Sequence, residues 1–84
     1  MALFYSDGGP EPAHRLWRVN VEGTGSDWEE WRSASAHRWH SDGSWTPHPN
    51  AQLEINFLGE MGMVDESEVP KVQQEIRRWM AENK

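Results

Sequence analysis

The pattern of apolar and polar positions predicts a run of short elements closed by one longer helix. Ala2 to Ser6 reads as a strand, stopped by Asp7 to Pro12, where two glycines and two prolines dictate a loop. From Arg15 to Glu22 the alternation is regular. Trp17, Val19 and Val21 point one way and Arg18, Asn20 and Glu22 the other, as in a strand with one face on a core. The two strands can pair as an antiparallel hairpin, and Gly23-Thr24-Gly25 ends the pattern.

The next segment carries two competing signals. Ser26-Asp27-Trp28-Glu29 has the form of a capping box, and Trp28, Trp31, Ala34 or Ser35, and Trp39 recur at helical spacing. Against a long helix stands Ser41-Asp42-Gly43-Ser44, a two-residue hairpin signal whose type I′ turn needs positive φ at both central positions. That hairpin would set His40 opposite Trp45 and Trp39 opposite Thr46, with Arg38, His40 and Trp45 on one face. The reading that accommodates both is a helical turn or irregular stretch around Trp28, followed by a strand ending at Asp42-Gly43.

Thr46-Pro47-His48-Pro49-Asn50 reads as a loop because its prolines exclude a central strand. Leu53, Ile55 and Phe57 alternate with Glu54 and Asn56, predicting another strand punctuated by Gly59 and Gly62, after which Met61, Met63 and Val64 lead back over the core. The C-terminal segment predicts an amphipathic helix, with Val69, Val72, Ile76, Trp79 and Met80 on one stripe. Ser67 as N-cap would place Pro70 in the first turn, where amides are unpaired in any case; a start at Pro70 itself is the rival. Such a helix, laid with its stripe on one face of a small antiparallel sheet of three to five strands, makes a two-layer α+β domain.

Length and charge narrow the picture. At 84 residues the chain supports one domain with a thin core, which no disulfide can brace because there is no cysteine. That absence, and the lack of a basic and apolar leader at Met1 to Tyr5, suggest the cytoplasm. No apolar run approaches the roughly 20 residues that span a bilayer. The net charge of −6 makes nucleic acid and anionic membranes unfavourable partners and a basic protein a favourable one.

Candidate chemistry is sparse. The four histidines, His14, His37, His40 and His48, follow no metal-binding signature, so no metal is assigned. No serine occupies a nucleophile elbow, and the acidic clusters Asp27, Glu29, Glu30 and Asp65, Glu66, Glu68 suit helix starts better than catalysis. No cofactor motif is present. A recognition surface is the stronger candidate, because Trp and Arg dominate binding hot spots. The six tryptophans include Trp17 and Trp79, which the core absorbs. Trp28, Trp31, Arg32, Arg38, Trp39 and Trp45 remain as the predicted partner-binding set.

These readings lead to the expectation of a small, non-enzymatic binding or regulatory protein whose acidic, tryptophan-rich surface engages a protein partner. Size and charge alone make an inhibitor or immunity factor of bacterial or phage origin the nearest analogue. Two alternatives belong to other classes. One is a small ligand-binding or metal-assisted enzyme subunit with a pocket of Trp39, Trp45, His37 and His40. The other is a homodimeric module in which a second chain completes the helix stripe.

Overall fold

The computed structural model describes residues 1–7, 15–23, 27–57 and 62–82. Ser26, residues 8–12, for which the sequence predicts a loop, and Gly59 and Met61 therefore lie outside the described residues, as does His14. The chain forms an α+β fold around a five-stranded antiparallel sheet. Strand β1 (Ala2–Ser6) pairs with β2 (Leu16–Asn20), which pairs with β3 (Ser35–Trp39), which pairs with β4 (Trp45–Pro47). After this meander β5 (Gly62–Val64) returns to the free edge of β1, giving the order β4-β3-β2-β1-β5. Among the described residues no helix is long and apolar enough to cross a membrane.

Period-two alternation divides the side chains between two separate cores. One face of the sheet carries Leu3, Trp17, Val19 and Ala36, all buried, and packs against α1 (Trp28–Ser33) and α2 (Ala51–Phe57) through Trp31, Ala51 and Ile55. The opposite face carries Leu16, Trp39, Phe4, Trp45 and Val64, and packs against Val69, Val72 and Ile76 of α3 (Val69–Glu82). The C-terminal stripe thus covers a sheet face as expected, but the face bearing Arg18 and Asn20 rather than that of Trp17 and Val19. The physical reason is capacity. Two large apolar sets, one on each side of β2, cannot both meet a single helix, so the sheet is covered on both sides. Toward its C-terminus the α3 stripe is less enclosed, with Trp79 half-buried and Met80 exposed.

Beyond Thr46 and Pro47, which belong to the edge strand β4 rather than to a loop, three local expectations change. First, residues 51–57 are a helix and not a strand. Leu53, Ile55 and Phe57 alternate in sequence, but at helical pitch Ala51, Gln52 and Ile55 fall on the inner side, whereas Leu53 and Phe57, four apart, project outward. Gln52 fixes the choice by donating from Nε2 to two carbonyls at the end of α1, that of Trp31 at 3.2 Å, which also accepts from the Ala34 amide at 3.4 Å, and that of Ala34 at 2.7 Å.

Second, the β3–β4 hairpin has a three-residue loop, Ser41-Asp42-Gly43. The amide of Gly43 donates to the His40 carbonyl at 2.8 Å, and the His40 amide donates to the Ser44 carbonyl at 2.9 Å. Only Gly43 has positive φ, at 95°, whereas a type I′ turn would require it at Asp42 as well. Asp42 instead uses Oδ1 to accept from the Ser44 amide and hydroxyl, at 2.9 and 2.6 Å. The result is a shift of one residue in register. Trp39 faces Trp45 and Arg38 faces Thr46, so Arg38 and Trp45 lie on opposite sides of the sheet and His40 does not share a face with Trp45.

Third, the approach to α3 is capped by Asp65 rather than Ser67. The Asp65 carboxylate accepts from the Ser67 amide and hydroxyl and starts a short 3₁₀ turn, Glu66–Glu68. Pro70 is then the second residue of α3, where its missing N–H costs no intrahelical bond.

Candidate functional site

The sequence-predicted set is divided by the sheet. Trp28, Trp31 and Arg32 belong to α1 on one side, and Trp39 and Trp45 to the face beneath α3 on the other. Arg38 is half-buried on the α1/α2 side, opposite Thr46. Trp39 is buried, with the Arg77 guanidinium 5.2 Å from its ring centroid, and Trp45 is half-buried with Arg18 at 4.6 Å. Only Trp28 presents a largely open indole.

The helix that carries Trp28 is short and individually braced. Asp27 caps α1 by accepting from the Glu29 amide at 3.0 Å, and Arg32 reaches back to Glu29 at 3.1 Å. Trp28 and Trp31, one helical turn apart, stack with centroids 5.4 Å apart and ring planes 22° from parallel. Trp31, 7 % exposed, is itself pinned. Its Nε1 donates to the Tyr5 hydroxyl at 2.9 Å, and the Tyr5 ring meets it edge-on at 6.0 Å. A fixed inner indole therefore supports an outer one that remains 53 % exposed.

Other large apolar side chains share this side of the molecule. Leu53 and Phe57 project from α2 with exposures of 58 % and 80 %, and Met63 of β5, opposite Tyr5 in register, is 67 % exposed. Exposed carboxylates flank Trp28, with Asp27 and Glu29 adjacent to it in the chain and Glu22 at the preceding bend. Glu30 turns inward and accepts from the Gly23 amide at 2.6 Å. Sequence reasoning missed Leu53 and Phe57 because a strand reading of 53–57 hides the i, i+4 relation, and Met63 because the sequence pattern leads it over the core. The spacing of Ala51 and Ile55 was the signal that a helix was available there.

The polar groups form small separate networks. Glu54 Oε2 accepts from Trp17 Nε1 at 3.1 Å and meets His48 Nε2 at 2.7 Å, so the one polar atom of a fully buried indole is satisfied from α2. His40 Nε2 meets the Thr46 hydroxyl at 2.6 Å, on the sheet face opposite that of His37. His37, His40, Trp39 and Trp45 therefore do not line one pocket. Among the described residues no three His, Asp or Glu side chains converge as metal ligands.

Comparison with protein-family models, curated proteins and solved structures finds no match to this chain, so the functional reading rests on the geometry alone.

Proposed function

We propose that this protein is a small, non-enzymatic binding or regulatory module that engages a basic protein through the outer surface of α1 and α2. The observation that carries this is Trp28, an indole held open on a buried, hydrogen-bonded Trp31. A ring placed this way adds little to the core, yet it is pre-positioned, which lowers the ordering cost of binding. Leu53 and Phe57 supply apolar area on the neighbouring helix, and exposed large side chains grouped on one side of a small domain mark an interaction surface. The carboxylates of Glu22, Asp27 and Glu29 and the net charge of −6 select a partner of opposite sign. The anchor set contracts accordingly, from six residues to Trp28 with Leu53 and Phe57. The absence of cysteine accords with a reducing compartment, and we place the protein in the cytoplasm.

The test is capture on the immobilised chain, repeated with Trp28→Ala and Phe57→Ser, each first shown to melt with the parent. A basic protein held by the parent should be lost from both variants, with Trp28→Ala weakening binding by about 2 kcal/mol or more. Its retention should fall as salt is raised, because steering between surface charges is screened over about 8 Å at physiological ionic strength. Undiminished retention by both variants would show that this surface is not the interface.

A further inference from the structure

We infer that the Arg18 guanidinium and the His37 ring N–H form a carboxylate-binding site on the half of the sheet that α3 leaves uncovered. This site lies on the opposite face from Trp28 and does not depend on the function proposed for that surface.

Helix α3 covers its sheet face only in part. Its apolar contacts end at Leu16, Trp39, Phe4, Trp45 and Val64. Beyond them the same face continues through Asn20 and His37, half-buried, to the exposed Ser35 and Pro47. Arg18 stands at this boundary, paired in register with Phe4 on one side and His37 on the other. Side chains directly opposed across an antiparallel pair have Cβ atoms about 5 Å apart, so Arg18 and His37 are immediate neighbours.

Both residues hold donors that the described structure does not use. The Arg18 guanidinium carbon lies 4.6 Å from the Trp45 centroid, while its buried Nε has no hydrogen-bond partner. No described carboxylate pairs with it, although the chain carries 14 acidic residues. His37 Nδ1 lies 3.5 Å from Asn20 Nδ2, an amide donor, and its Nε2 has no described partner. A planar guanidinium over an aromatic ring beside an imidazole presents neighbouring donors without a described acceptor. The chemical complement is a carboxylate, whose two oxygens suit the guanidinium fork and leave acceptor capacity for the imidazole. Such a group can come from a small free acid or from an Asp or Glu side chain of another protein.

The experiment follows the Arg18 Nε–Hε and His37 ring resonances by NMR as the intact protein is titrated with acetate, succinate and a Glu-rich peptide, with chloride at matched ionic strength as control. A saturable shift of both residues, absent with chloride, is expected in the parent. It should disappear in Arg18→Gln and persist in Arg78→Gln, which removes an exposed α3 arginine. Tighter binding of the peptide would identify a protein-borne carboxylate, and equal or tighter binding of the small acids a free one; either result supports the site. A parent protein whose Arg18 and His37 resonances respond to carboxylates no differently than to chloride overturns it, whether or not the variants fold. In that outcome the arginine stem serves only as an apolar cover for Trp45.

Discussion

At the scale of single residues, neighbouring tryptophans with the same local sequence character have opposite duties. Trp31 fills the α1/α2 core, stacks edge-on with Tyr5 and satisfies its indole nitrogen there. Trp28 rests on its outer face. Trp31→Ala should therefore cost about 3 to 5 kcal/mol of folding stability, the range for deleting a large buried aromatic. Trp28→Ala should cost about 1 kcal/mol or less, close to the value of an aromatic pair beyond its buried area. Urea denaturation of the two variants beside the parent gives the comparison, and equal losses would place both rings in the core. The helical spacing of Trp28 and Trp31 was legible in the sequence. Which of the two faces inward was not, because a six-residue helix can be rolled either way until Tyr5 and the ends of β1 and α2 are in place.

At the scale of elements, turns and caps decide register. Gly43 alone takes positive φ in the β3–β4 loop, and a Cβ there would meet nothing closer than Arg77 Nη2 at 4.0 Å. Space is thus available and only backbone conformation opposes a side chain. Gly43→Ala should destabilise the protein by about 1 to 2 kcal/mol, the cost of a left-handed conformation for an L-residue, measurable as a lower midpoint with an unchanged denaturant slope. The carboxyls of Asp42 and Asp65 are held below the usual aspartate value, chiefly by the hydroxyls of Ser44 and Ser67 and then by the amides of the same residues. A carboxyl lowered in the folded state adds stability that is present above its unfolded pKa of about 3.9 and disappears as pH falls through the folded value. Melting temperature should accordingly drop on acidification from about pH 5 downward. The double variant Asp42→Asn/Asp65→Asn should show a shallower drop, and parallel curves would mean that these turns contribute nothing to acid sensitivity. The Asp-Gly pair announced a turn, but the choice between two and three loop residues depended on the Asp42 side chain bonding to Ser44, which composition does not reveal.

At the scale of the whole molecule, one sheet supports two cores joined through β2 and β3. Leu16 and Trp17, adjacent in sequence and both fully buried, serve opposite faces. Loss of either core leaves the shared strands without half their packing. Ile76→Asp, which places a carboxylate beside Leu16, Trp39 and Val69, should cost several kcal/mol, about 3 to 5 by comparison with other severe core lesions. It should also unfold the α1/α2 side in the same transition, so that far-UV signal and Trp fluorescence coincide. A separate second transition would show that the two cores are independent.

The C-terminal helix, the first two strands, the turn at Asp42-Gly43 and the α+β class were determined by the sequence itself. In each of these, local periodicity and turn chemistry agree with the tertiary environment. Tertiary structure alone decided the state of residues 51–57, the hairpin register and the division of the tryptophans. The 51–57 pattern satisfies both a period of two and an amphipathic helical turn, and the seven-residue helix that results is too short to persist without Gln52 bridging to α1. The β2–β3 pairing puts Trp39 on the face that α3 covers, and the one-residue change of register in the β3–β4 hairpin brings Trp45 onto the same face. Neither ring shares a surface with Trp28, because in a strand the side of each residue is set by its register and not by its identity.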